Sequence, residues 1–376
     1  MERLRVDPRP NWRQTVESQG FHFHSIDGLT YWDESACYLF EADEIDLIEE
    51  ATNQLEAMCL EAVEHVIRED LFPVFEIPNV FADLVIKSWE RGDPSIYGRF
   101  DLSYNGQGPP KLLEYNADTP TALLEAAVIQ WFWLQDRGEP GLDQFNSLHE
   151  RLIEAWEQFR AEGDETVHFL SMSSSVEDFM TVSYLQDTAM QAGLDTRSLD
   201  IEQIGWNHRQ GQFVDLDEHP MRAIFKLYPW EWMIREPFGI HLPETPMRWI
   251  EPPWKLILSN KAILVILHDL FPDSPYLLRT DFSPIGDTYV SKPILSREGA
   301  NITILQNGRV LSRTEGAYEA ERRVYQEYHP LPESAGKYPV IGSWIVNGVA
   351  CGMGIREDTN IITKNTSRFI PHAFRL

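Results

Sequence analysis

Apolar positions recur at helical spacing from about Glu41 to Glu69, where Ile45, Ile48, Leu55, Cys59, Ala62, Val63 and Val66 fall near one stripe, which predicts a long amphipathic helix with a solvated acidic face. The pattern then changes period. Ile96–Ser103 and Lys111–Asn116 alternate as strands do, and NGQGPP between them marks a turn. Further helices are predicted from Thr119-Pro120 (a hydroxyl cap with proline in the first turn), over Ser147–Ala161, over Val176–Ala192 and over Asn260–Leu270. Strands are predicted at Thr166–Met172, Ser198–Ile204 and Arg222–Tyr228, and their β-α-β order implies a small parallel sheet. The alternation of Phe21-His22-Phe23-His24 reads as a short strand. Its two histidines share a face, yet no third metal ligand lies nearby, so a structural pair is the better reading. The chain is therefore α/β, a mixed α+β architecture with more than one lobe and a small parallel-sheet subdomain. No internal repeat or low-complexity segment interrupts it.

The most informative stretch is YGRFDLSYNGQGPPKLLEYNADTPT. Arg99 and Asp101 share a strand face, as do Glu114 and Asn116. A turn centred on Gly106 to Pro109 sets Asp101 opposite Glu114 and Arg99 opposite Asn116, leaving Phe100, Leu102, Leu113 and Tyr115 for a core. A one-residue slip would scatter the polar set, so the apolar pattern itself selects the register. Two carboxylates and an amide oxygen at one point repel unless a cation lies between them, and hard oxygens suit Mg²⁺. An adjacent arginine can stabilise charge in phosphoryl transfer. The alternative is a cross-strand ion pair of Arg99 with Glu114 or Asp101 on a solvated face.

Composition narrows the partners. Among 376 residues, 59 are acidic and 32 basic, and the net charge of −27 disfavours nucleic acid and anionic membranes while favouring cations such as polyamines and Mg²⁺. The three cysteines are far apart and in no metal-ligand spacing, which points to a reducing compartment. The charged start MERLRVDPRPNW lacks the apolar run of a signal peptide, and Ala262–Leu267 is too short to span a membrane. A cytoplasmic location is the expectation.

Two lysines stand out. Lys261 opens the apolar run SNKAILVILHDLF. Lys292 ends a strand-like run just before LSREGANITIL, a glycine-containing loop whose free N–H groups can approach phosphates. No Walker A or GxGxxG sequence occurs. Gln326 and Glu327 sit at a strand end before prolines, as an adenine-reading hinge would. GSWIVNGVACGMGIRED reads as a hairpin turning at Asn347-Gly348, with Arg356 beyond its second strand.

In this order, YGRFDL, LLEYNADTPT, SNKA, SKPILSREGAN, YQE and GIRED resemble the glutathionylspermidine synthase family, and more closely its stand-alone acid–amine ligases, across essentially the whole chain. The resemblance implies an ATP-grasp-like fold, ATP and Mg²⁺ as cofactors, and activation of a carboxylate as an acyl-phosphate that an amine then attacks. It implies a metal and phosphate hairpin at 95–125, a substrate lobe at 165–230 and nucleotide lobes at 254–376, with no amidase domain. By this resemblance Arg99 matches the family's transition-state arginine, Asp101, Glu114 and Asn116 its metal ligands, and Lys261 and Lys292 the lysines flanking ATP. Glu298 and Gly299 match the phosphate-covering loop, and Gln326 and Glu327 the adenine hinge. Arg356 matches an arginine near the phosphates, and Ile361, Ile362 and Thr363 lie near the nucleotide. Thr119 and Thr121 stand where the family has substrate-contacting serines. Separately, the loop from Ser173 to Asp178, with Glu177, leads into a helix N-terminus that can hold a substrate carboxylate.

The expected reaction joins a small peptide-like acid to an amine such as a polyamine. An authentic glutathionylspermidine synthase is the alternative, followed by a non-catalytic ATP-binding regulator and by a kinase of a small acid.

Overall fold

The structure, a computed structural model, describes every residue except 162, 164, 165 and 246, so the first position of the lobe expected from 165 lies outside the described residues. The expected long helix spans Ala42–Arg68. Glu44 reaches back to the Glu41 N–H at 2.9 Å, acids occupy the first turn, and His65 and Arg68 the last, each suited to the helix dipole. Its apolar stripe, including Ile48, Leu55, Cys59 and Val63, is fully buried.

That helix packs on a five-stranded antiparallel sheet ordered Arg368–Ile370, Val349–Asp358, Tyr338–Val346, Tyr97–Ser103, Lys111–Asn116. The helix touches it through polar contacts as well: Thr52 Oγ1 lies 2.7 Å from Ser343 Oγ, and Tyr115 donates to Glu56 at 2.9 Å. The hairpin at Asn347-Gly348 forms with both residues at positive φ, which a two-residue turn needs. Arg356 and its acidic neighbours lie inside its second strand rather than beyond it, because pairing with Tyr338–Val340 continues as far as Asp358.

The expected parallel sheet is present, ordered Arg248–Ile250, Ala223–Lys226, Thr166–Ser171, Asp195–Asp200. Its last strand begins at Asp195, not at Ser198, and ends where the Asp200 carboxylate accepts the N–H groups of Ser173 and Glu202 and starts a short 3₁₀ turn. The helix after it in space, Val176–Gln191, is capped by Ser175 Oγ accepting from the Asp178 N–H. A second antiparallel sheet, ordered Thr280–Asp281, Arg323–Glu327, Tyr289–Pro293, Thr303–Gln306, Arg309–Arg313, carries Lys292 and Gln326. A fourth sheet joins Glu2–Arg5, Ala36–Glu41, His372–Arg375 and Leu142–Asp143. No described helix is long and apolar enough to cross a membrane.

Three expected boundaries move. Phe21–His24 is not a strand: the His24 carbonyl accepts from Tyr31 and Trp32 in a turn, and the Phe21 and Phe23 rings meet edge-on at 4.6 Å. His24 bonds Ser25 and Glu17, consistent with a structural role. The helix expected from Thr119 starts at Leu123, after Ala122 at positive φ, because the Thr121 carbonyl and the Thr119 hydroxyl accept from Arg99 and Arg297 instead of capping a turn. The helix expected from Asn260 starts at Ile263; the Asn260 side chain accepts from Ala262, and the Lys261 N–H pairs with the Ile294 carbonyl.

The start of the Tyr97–Ser103 strand is fixed from behind. Glu251 accepts the N–H groups of Ile96 and Tyr97 at 3.0 and 3.1 Å and pairs with Lys255 at 2.8 Å, while Lys255 donates to the Tyr97 carbonyl at 2.7 Å. All of this is buried. Glu251→Ala strands the Lys255 charge and should cost about 3–5 kcal/mol, read as a lower denaturant midpoint. An unchanged midpoint would mean that the pair bears no load.

Candidate active site

The register inferred from the apolar pattern is the one formed: Arg99 opposite Asn116, Phe100 opposite Tyr115, Asp101 opposite Glu114. One detail differs. A bulge after Asp101 pairs Leu102 with Leu112, so Leu112 enters the core and Leu113 turns to the site. On the other side of the strand pair, Trp344 lies opposite Arg99 and Gly342 opposite Asp101. A Cβ at residue 342 would come within 2.7 Å of Arg99 Cδ, so the glycine is what lets the arginine stem lie flat on the sheet.

Arg99 donates to Asp101 at 2.7 Å and to the Thr121 carbonyl at 2.6 Å, and its guanidinium sits 5.5 Å over the Trp344 ring. Asn116 Nδ2 donates to Asp101 at 3.1 Å. Lys261 reaches Glu114 at 3.2 Å and donates to the Ser296 carbonyl at 2.5 Å. Lys292 donates to the Leu113 carbonyl at 2.8 Å and to Gln326 Oε1 at 2.7 Å. Burial opposes charge on Glu114, yet the ammoniums of Lys261 and Lys292 overcome it and hold its carboxyl below the usual range. The same burial brings Lys292 down to about 8 despite the attraction of Glu114.

Two cavities meet at this cluster and share Asp101, Glu114, Gly299 and Thr363. The first is mostly apolar, walled by Val290, Ile302, Ile304, Tyr328, Ile361 and Ile362. Gln326 and Glu327 line it as expected, but the Gln326 amide is spent on Lys292 and on the Leu112 carbonyl. The second, of 310 Å³, is polar and contains Arg99, Asn116, Thr119, Thr121, Glu177, Glu298 and Arg356. Every site residue expected from the sequence therefore lines one cavity or the other, except Lys261, which reaches the site through Glu114.

Sequence reading missed several members. Arg297, next to Glu298, bonds Glu231 at 2.6 Å and Thr119 at 2.7 Å and lines the polar cavity with Trp232, Lys364 and Asn365. Its place inside SKPILSREGAN was the available signal. Arg356 is anchored at one side of its guanidinium: Nε donates to the Ser367 carbonyl and Nη2 to those of Lys364 and Asn365, so it braces that loop. Glu177 and Asp178 make the helix N-terminus acidic. Burial, then the charge of Glu177, raises Asp178 to about 6, and the same two causes raise Glu298.

Comparison with known proteins places the chain. The family model described as glutathionylspermidine synthase preATP-grasp matches residues 3–375. A Haemophilus influenzae protein named "Putative acid--amine ligase" is 40% identical, covering 97% of both chains. The Escherichia coli "Bifunctional glutathionylspermidine synthetase/amidase" is 30% identical over 95% of this chain, which spans 60% of that longer protein. In three dimensions the chain is similar to a glutathione synthetase-like effector from Globodera pallida, with a TM-score of 0.57 at 11% identity, covering 98% of this chain and 97% of that one. That likeness agrees with the mixed α/β fold.

Gly299 holds the 295–301 loop against the strip 361–365. It has φ +70°, and a Cβ there would fall 2.2 Å from the Thr363 carbonyl oxygen. Gly299→Ala should therefore push the two segments apart and raise amide hydrogen exchange in both, with the remainder of the chain unchanged. Equal exchange in the two proteins would show that this contact does not set the loop.

Proposed function

The chain belongs to the glutathionylspermidine synthase family and is a ligase that forms C–N bonds, and from that premise we propose that it uses ATP and Mg²⁺ to activate a carboxylate as an acyl-phosphate for attack by an amine. The observation that carries the reading is the Arg99–Asp101–Glu114–Asn116 set, joined to Lys261 and Lys292 where the apolar and polar cavities meet. Such a junction suits a nucleotide with its base among Ile302, Ile304, Tyr328 and Ile362 and its phosphates at the lysines.

Asp101, Glu114 and Asn116 fit Mg²⁺ because all three offer hard oxygens on one sheet face, Asp101 directly opposite Glu114. Bound there, Mg²⁺ would neutralise phosphate charge. The chain's own groups do the rest. Lys292 and Lys261 hold phosphate oxygens, and the loop 295–301 covers them and keeps water from the mixed anhydride. Arg99, half-buried and held by Asp101 and by the Thr121 carbonyl, offsets the negative charge that develops as the carboxylate takes the γ-phosphoryl group. Arg356 keeps the loop 364–367 in place beside them. Glu177, Asp178 and Glu298 form an acidic wall that suits a cationic amine better than a second carboxylate. This wall favours a polyamine-like acceptor over the anion suggested by the helix N-terminus.

The decisive experiment supplies ATP, Mg²⁺ and an ¹⁸O-labelled acid with an amine, starting from glutathione and spermidine because a relative is named for them. Label appearing in inorganic phosphate, with an amide product, fits the acyl-phosphate route; ADP without phosphate would make the protein a kinase instead. Asp101→Asn should lower kcat by about 100-fold or more while leaving the fold intact, the scale of losing one preorganised charge-stabilising group. Lys292→Ala should raise the ATP Kd roughly tenfold, the worth of a charge-assisted hydrogen bond. Identical nucleotide affinity would remove Lys292 from the phosphate site.

A further inference from the structure

The helix behind the reaction cavity is not uniform: Glu125–Ile129 widens into a π turn before regular helix resumes at Gln130. Single π turns interrupt the regular hydrogen-bond ladder and are frequent at functional sites. Here the turn begins on Glu125, which is 1% exposed. Tyr31 donates to its Oε1 at 2.8 Å, and its Oε2 is buried with no partner. Glu177, on the cavity wall, likewise has a buried Oε1 with no partner. Two carboxylates, each with a buried oxygen that no protein donor meets, favour a proton or a cation between them.

The groups facing Glu125 come from three elements. Tyr31 approaches from the N-terminal loop, Glu177 from the helix Val176–Gln191, and Arg356 from the central sheet. Arg356 lies 5.3 Å over the Tyr31 ring, and its Nε and Nη2 donate to backbone carbonyls, so it acts on the pair through its charge rather than through a hydrogen bond. Burial and then the Glu177 charge lift Glu125 to about 7.

We infer that Glu125 and Glu177 act as one proton acceptor, taking from the substrate ammonium the proton it must lose before it can attack. The inference rests on the ligase reading above. An aliphatic amine arrives protonated at neutral pH. Its N–H⁺ proton passes to the Glu177 carboxylate on the cavity wall and is held by the pair, with Glu125 as positioning residue. The freed nitrogen lone pair then forms the C–N bond. The C–O bond to the phosphoryl group breaks with its electron pair leaving on phosphate, and the second amine proton departs with that phosphate. Release of the first proton to water resets the pair. Because the pair must be unprotonated to accept, amide formation rises with pH through about 7, the value to which Glu125 is lifted.

The test compares wild type with Glu125→Gln, which keeps the Tyr31 hydrogen bond. The acid probe is glutathione; the amines are spermidine, charged, and hydroxylamine, largely uncharged at neutral pH. Because Glu177 without the Glu125 carboxylate no longer retains the proton, Glu125→Gln should lower spermidine-dependent turnover at pH 7 by about 100-fold, the low end of what a general-base step contributes, with a far smaller loss of hydroxamate. The rise with pH should vanish in the variant. Equal losses with both amines, or an unchanged pH profile, would overturn the pair.

A second measurement needs no substrate. Infrared difference spectra of wild type against Glu125→Gln should show a protonated-carboxyl band that disappears near neutral pH and is missing from the variant. No such band would overturn the inference whatever the substrates are. The band together with no amide from these probes would uphold the pair and count against the glutathione and spermidine identities alone.

Discussion

Lys261 pairs with the half-buried carboxylate of Glu114 at 3.2 Å, the charge of Lys292 acts on the same carboxylate, and the site depends on that knot. Lys292 belongs to the sheet that carries Gln326, whereas Glu114 belongs to the central sheet; Lys292 also donates to the Leu113 carbonyl. The two sheets are thus joined where the apolar and polar cavities open into one another. Burying any one of these charges alone would be costly, and the three together are tolerable only because each compensates another. The arrangement leaves excess positive charge beside an open space. That is the condition for attracting polyanionic phosphates.

Behind the site the same logic recurs with fully enclosed pairs. Lys226 and Asp118 meet at 2.6 Å with neither exposed, and Asp118 also accepts the Trp230 N–H. This fixes the loop 117–122 to the parallel sheet, while Glu251 and Lys255 fix the start of the Arg99 strand. Buried ion pairs contribute little net stability compared with apolar packing. Their directional bonds here set the position of a short loop and a strand end, which apolar contacts alone would leave free to slide.

How much of this the sequence disclosed follows from how local each determinant is. The Asp101–Glu114 register was legible because alternation over two strands and a short turn leaves one arrangement that buries Phe100 and Tyr115. The bulge that moved Leu113 was not, since Leu112 and Leu113 are equally apolar and only the packing chooses between them. The helix start at Leu123 escaped for a different reason: Thr119 and Thr121 are good caps, but Arg99 and Arg297 claim their oxygens from far along the chain. Glu125 was invisible within an apolar helical pattern, where a single acid reads as a surface residue; its burial comes from Tyr31 and from the π turn.

The two sides of the site are built from different materials, and this bears on which features vary among relatives. The side that carries the two lysines consists of strand registers, a glycine at 342 whose place a side chain could not share with the Arg99 stem, and backbone carbonyls that fix both lysines. Changing any of these disturbs the sheet. The rim of the polar cavity consists of side chains on loops and at two helix ends: Thr119, Glu177, Asp178, Trp232, Glu298 and Asn365. Those can change without cost to the core, because the loops carry few buried ladder bonds. On the proposed reading, the nucleotide side is tied to the sheets while the acid and the amine meet a rim that the sheets do not depend on. The overall charge of −27 acts in the same direction as the acidic wall, drawing cations rather than selecting among them. Selection falls to the spacing of carboxylates within the polar cavity.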